Sequence, residues 1–133
     1  MAGEAVTLHQ LATIELQQGD HPAARENFRR ALIIWWRIGD PAGEATTLYQ
    51  FGSVGVLEGR PEAGARLIAA CVVIEQRIGH GDTAQDIRTL LGLCQKLGYD
   101  ETRVQTLLDE VAASLARDRG QSLLRDAFPE MNW

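Results

Sequence analysis

The chain has 133 residues, 45% of them hydrophobic and 23% charged, and its mean hydropathy is −0.15. That balance suits one compact domain or a short stack of repeats, and it excludes wholesale disorder. Thirteen Lys and Arg against eighteen Asp and Glu give a formal charge of −5, and an acidic surface of that kind repels phosphate, which argues against nucleic acid as a general partner.

Two cysteines make no disulfide framework, and no signal peptide opens the chain, so a reducing, cytoplasmic setting is expected. The longest apolar stretch, around Leu67–Ile74, falls far short of a membrane span, which needs about 20 residues. No membrane partner is therefore expected.

From Gly3 onward the sequence repeats itself at an offset of forty. Gly3, Glu4, Ala5, Thr7, Leu8 and Gln10 recur as Gly43, Glu44, Ala45, Thr47, Leu48 and Gln50, and the echo continues through Gly19/Gly59, Ala23/Ala63, Ile34/Ile74, Arg37/Arg77, Ile38/Ile78 and Gly39/Gly79. Chance would give only about two or three identities over such a span, so this is a tandem repeat.

Each unit divides into two helices. In the first unit Leu8, Leu11, Ala12 and Leu16 recur at helical spacing until Gly19, which suits a left-handed C-cap. Asp20 or His21 then stands in cap position, and Pro22 fits a first helical turn. The second helix runs through Phe28, Ala31, Leu32, Trp35 and Ile38 to Gly39. The next unit copies this with Leu48, Phe51, Gly52 and Val56, a break at Gly59, then Ile68, Cys71, Val72 and Ile78.

A third unit is eroded. Asp82 and Gln85 have the form of a capping box. Gly92 keeps the register of Ala12 and Gly52, and these three positions are predicted to be the closest helix crossings. Asp100 should cap a helix striped by Val104, Leu107, Leu108, Val111 and Leu115 and ended by Gly120. Leu123, Leu124, Ala127 and Phe128 form one short last helix before Pro129. One domain over residues 1–133 is expected, with repeats at about 3–42, 43–82 and 83–119 and a C-terminal helix and tail at 120–133.

The pattern resembles the tetratricopeptide repeat in a forty-residue form. Leu8, Leu11, Ala12, Gly19, Ala24, Phe28 and Ala31 carry the resemblance, with Leu48, Phe51, Gly52, Gly59, Gly64, Ile68 and Cys71 as counterparts. Glu15 and Gly55 depart from it, standing where that family usually has an aromatic residue. The resemblance implies an all-α, right-handed α-solenoid of about three antiparallel helix pairs closed by a short helix. It also implies a non-catalytic module that binds a protein or peptide. The groove would be lined by the first helix of each unit, through His9, Gln10, Thr13, Gln17, Tyr49, Gln50, Ser53 and Leu57; the competing reading of these residues is a plain solvated face. The family's carboxylate-gripping Lys, Asn and Arg set is absent from these faces.

No metal site, cofactor or catalytic set is expected. His9, His21 and His80 lie at no metal-ligand spacing, and Cys71 reads as packing between helices. His21 and His80 read as turn residues. On the outer face, Ala65, Ala69 and Ala70 replace Arg25, Arg29 and Arg30, so the helix around 62–78 is apolar almost all round and should be buried on more than one side. Ile33, Trp36, Ala69 and Val73 then read either as a homodimer patch or as a surface covered by the chain's own C-terminus. The start in repeat register at Gly3 leaves Leu8 and Leu11 at an uncapped edge, and it suggests as an alternative a ligand- or partner-sensing fragment of a larger bacterial regulator.

Overall fold

Gly39, at φ +68°, and Gly59, at φ +79°, turn the chain through a backbone region that disfavours any side chain with a Cβ. The computed structural model describes residues 2–79 and 82–133. His80 lies outside the described residues. Between such turns run α1 (Ala2–Gln17), α2 (His21–Ile38), α3 (Pro41–Leu57), α4 (Pro61–Ile78), α5 (Thr83–Lys96), α6 (Glu101–Asp118) and α7 (Gln121–Ala127), with no strand among the described residues. No helix is long and apolar enough to cross a membrane.

Aspartates start three of the helices. Asp20 Oδ1 accepts from the Ala23 amide at 3.3 Å, Asp40 Oδ1 from Gly43 at 3.1 Å, and Asp100 Oδ1 from Arg103 at 2.8 Å. Each such cap is worth about 1 kcal/mol. The capping box at Asp82 does not form. Asp82 sits at φ −92°, ψ 6° and makes no side-chain cap, because its backbone is not in the extended conformation that aims a carboxylate at the first turn. Gln85 instead accepts from Arg88 at 2.9 Å.

Helices α1 and α2 pair, α3 and α4 pair, and α2 packs on α3 to join the two units. The closest approach is between α3 and α4. A Cβ on Gly52 would stand 2.6 Å from Ile68 Cγ1 and 2.9 Å from the Gly64 carbonyl oxygen, and one on Gly64 would stand 2.7 Å from the Gly52 oxygen. In the first unit Ala12 and Ala24, both fully buried, are the small residues of the pair.

The expected third crossing at Gly92 is not there. A Cβ at Gly92 would meet nothing within 4 Å. Helix α5 buries only Leu90 and Cys94, too narrow a stripe to hold a second helix, so α5 and α6 each pack on α4 and leave a recess of about 600 Å³ between themselves. Helix α4 is thereby enclosed by α3, α5, α6 and α7. Its Ala65, Leu67, Ile68, Ala69, Ala70, Cys71, Val72 and Ile74 are all buried, as its unbroken apolar circumference requires.

The outer face is closed by the chain's own C-terminus, which corrects the reading of Ile33, Trp36, Ala69 and Val73 as one open patch. Ala69 is fully buried, and Trp36 and Val73 are half-buried against the main core. Arg119 donates to the Trp36 carbonyl at 3.0 Å. Ile33 stands apart from them, bordering Leu8 and Ile34 in a small recess between α1 and α2. Beyond α7, the Phe128 and Trp133 rings lie 5.5 and 5.3 Å from that of Phe51. Arg25 and Arg60 flank Glu130 at 3.5 and 3.6 Å, and Arg29 donates to the Asn132 carbonyl at 3.2 Å.

The two glycines should respond oppositely to one methyl group. Gly52→Ala should lose about 1–3 kcal/mol by overpacking, whereas Gly92→Ala should gain about 0.5–1 kcal/mol by restricting the unfolded chain. Denaturant unfolding of both variants beside the wild type measures the difference.

Candidate functional site

The first helices of the three units border two clefts, one near each end of α3. One, of about 300 Å³, lies between α1 and the start of α3 and is lined by Val6, His9, Gln10, Trp35, Asp40, Ala42, Gly43 and Thr46. Trp35 is held there by shape, since any Cβ on Gly43 would overlap the indole ring. The other, of about 440 Å³, lies between α3 and α5. Its lining is Ser53, Val56, Leu57, Ile68, Arg88, Thr89, Gly92, Leu93 and Lys96.

The eight groove residues expected from the sequence divide between these clefts rather than forming one strip. His9 and Gln10 line the first, and Ser53 and Leu57 line the second. Thr13, Gln17, Tyr49 and Gln50 line neither. Thr13 donates to the His9 carbonyl at 2.9 Å, so its hydroxyl proton is engaged within α1. Gln17 is exposed; Tyr49 and Gln50 are half-buried, with Tyr49 packed on the core. Leu57 is the most open of the large apolar side chains among the described residues, 64% exposed.

Sequence reasoning missed Val6, Trp35 and Thr46 in the first cleft, and Val56, Arg88 and Lys96 in the second. Helical spacing held part of the signal, because Lys96 lies three residues beyond Leu93 on the same helix face. The opening itself was not legible, because it exists only where α5 fails to close on its neighbours.

Burial shifts the acid–base chemistry of His9 and Cys71. His9 packs edge-to-face on Phe28, ring centroids 5.2 Å apart, with Nδ1 3.5 Å from the Thr47 hydroxyl. Burial holds its pKa below the ordinary 6.5, so the ring is neutral near pH 7. The Cys71 Sγ lies 3.2 Å from Glu75 Oε1 and 3.7 Å from Asp86 Oδ2. Burial pushes the thiol far above its usual range, and the two carboxylates add to the shift, so it stays protonated and unreactive. The packing role expected for Cys71 thus comes with two polar neighbours, one four residues on along α4 and one from α5. These three groups bring ligand-type atoms within 4.8 Å of one another. His21, expected in a turn, opens α2 with Nδ1 3.4 Å from the Glu58 carboxylate.

Compared with known proteins, residues 3–67 match the family model of the tetratricopeptide repeat. No curated protein and no solved structure matches the chain.

Two measurements check these local environments. Because folded His9 binds its proton less readily than the unfolded chain does, its contribution is complete above pH 6.5 and is lost as the pH falls through its lowered pKa. The melting temperature of the wild type relative to His9→Phe should therefore decline on going from about pH 7 to about pH 5. A thiol-reactive disulfide reagent should modify neither Cys71 nor Cys94, both buried, until denaturant is added.

Proposed function

We propose that the chain, whose residues 3–67 match the tetratricopeptide repeat, a family whose repeats mediate protein–protein interaction, is a non-catalytic module that binds a peptide segment of a partner protein across α1, α3 and α5. His9, Gln10, Thr13, Gln17, Tyr49, Gln50, Ser53 and Leu57 are the contact strip of this reading. The observation that carries it is the unequal treatment of the two faces. The side bearing α2 and α4 is fastened under α6, α7 and the C-terminal tail. The side bearing the first helices keeps two open clefts and the exposed apolar side chains of Val6, Val56 and Leu57. Apolar surface left in water beside such clefts is what a partner gains by covering. The non-catalytic part is supported by the state of the obvious nucleophile, Cys71, held as a buried thiol.

A second reading has its own observation. Leu11 and Ile14 are 45% and 50% exposed, whereas their counterparts forty residues on, Phe51 and Val54, are fully buried. The outer side of α1 therefore suits a further helical unit, which in this reading is supplied by a second copy, making a homodimer. In a larger regulatory protein, a preceding repeat would occupy the same side. Light scattering on the wild type and on Leu11→Glu with Ile14→Glu tests the dimer: a mass that halves in the double variant supports it, and a monomeric wild type overturns it.

The groove reading predicts that peptides selected on the chain from a random displayed library bind about tenfold more weakly to Gln50→Ala and to Tyr49→Ala. Melting curves of both variants separate lost binding from lost folding. Peptides indifferent to both substitutions would place the binding surface elsewhere.

A further inference from the structure

We propose that the cleft between α3 and α5 is an anchor subsite for an acidic partner segment, taking one large aliphatic side chain flanked by carboxylates. The proposal rests on the groove reading above and adds the chemistry of the partner. The floor of this cleft is apolar, formed by Val56, Leu57, Ile68 and Leu93. Its volume of about 440 Å³ lies in the range, about 300–1,000 Å³, in which buried ligand groups are held.

The rim has one sign of charge. Arg88 and Lys96 line the cleft and no carboxylate does, in a chain whose formal charge is −5. Arg88 donates only to the neutral Gln85 carboxamide, and neither cation enters an ion pair among the described residues. On the side covered by the tail, Arg25 and Arg60 meet Glu58 and Glu130, and Arg29 meets Glu26, while Arg30 and Arg37 border a recess that Glu4 also lines. Two unpaired cations beside an apolar floor select a segment that supplies both anions and an apolar anchor, and they repel a basic one.

The spacing sets a pattern. Eight residues along a helix separate Arg88 from Lys96 by about 12 Å of axial rise. An extended chain covers that distance in about four residues, at roughly 3.3 Å each. The matching segment is acidic–any–aliphatic–any–acidic, the central side chain entering the cleft. An extended segment also leaves its amides and carbonyls free for the Ser53 hydroxyl on the opposite wall.

Gly92 offers a clean way to close the cleft. It lies on the cleft wall in mid-helix, and a Cβ there meets nothing within 4 Å, so Gly92→Trp fills the space without overpacking the fold. The experiment is fluorescence anisotropy of labelled Gly-Glu-Ser-Leu-Ser-Glu-Gly with the full chain, beside peptides in which Glu is replaced by Lys or Leu by Ser. The expected result is that the acidic leucine peptide binds at least tenfold more tightly than either relative, and weakens as salt is raised. It should lose at least tenfold in Gly92→Trp, whose melting curve stays intact. Arg88→Glu with Lys96→Glu should reverse the preference toward the Lys peptide.

Binding by none of the peptides, equal binding of the acidic and basic ones, or equal binding of the leucine and serine ones overturns the proposal. Equal competition by an oligodeoxynucleotide does so too, because it would reduce the site to charge alone. If Gly92→Trp binds normally while Gln50→Ala and Tyr49→Ala do not, the anchor subsite is wrong and the groove reading stands. If all three variants bind normally, both fall together.

Discussion

Between Gly52 on α3 and Gly64 on α4 there is no room for one methyl group on either side, since each Cβ would meet the other's carbonyl oxygen within 3 Å. The contact brings two backbones together and fixes how deep α4 sits. Once α4 is that close to α3, its Leu67, Ile68, Ala70, Cys71, Val72 and Ile74 need cover on the remaining sides. Helices α5, α6 and α7 supply it. The third unit therefore does not continue the stack as a helix pair of its own. Its two helices are drawn apart to serve α4, and both the cleft at Gly92 and the recess between α5 and α6 follow from that division.

Much of this was legible where local chemistry decides the outcome. The forty-residue echo located the first four helices, Asp20 and Asp100 marked the starts of α2 and α6, and the alanines at 65, 69 and 70 announced that α4 is buried on several sides. What stayed hidden depends on distant partners. Gly92 looks like Gly52 in the repeat register, but it lacks an opposing small residue at a crossing, and register alone does not reveal that. The eight groove candidates share two helices, yet the gap that separates them into two clefts is set by where α5 lands on α4. Trp36 and Val73 could be read as open or covered with equal justice, because the answer lay in distant elements: Arg119, at the end of α6, reaches the Trp36 carbonyl, and α6 and α7 pack on α4.

The same residue type can meet opposite surroundings at equivalent positions. Glu4 is exposed on α1, while Glu44, its echo on α3, is 8% exposed. Burial raises the Glu44 carboxyl above its ordinary value, and the Arg119 guanidinium opposes that rise. Arg119 comes from the far end of α6, where its own backbone takes the left-handed conformation at φ +60°, unusual for a side chain with a Cβ. Its bonds to Glu44 and to the Trp36 carbonyl hold it there. A charge that the repeat placed on a solvated helix in the first unit has thus become a fastening point in the second. Divergence between repeats follows that change of surroundings more closely than it follows residue type.

Paired charge is concentrated where the C-terminal tail lies. Where the tail lies, Arg25, Arg29 and Arg60 are engaged by Glu58, Glu26, Glu130 and backbone carbonyls, and Arg60 also stacks over Phe128 at 5.7 Å. Those cations gain little from any further anion, since their donors are already taken. Arg88 and Lys96 stand in the opposite condition, beside an apolar floor whose cover would raise the strength of any ion pair they make by excluding water. An exposed pair alone is worth at most about 1 kcal/mol. Burial of an aliphatic side chain, worth roughly 1.5–3 kcal/mol, would supply the cover that strengthens such a pair. Among the clefts described above, the one at Gly92 sets two cations without an ion pair beside an apolar floor.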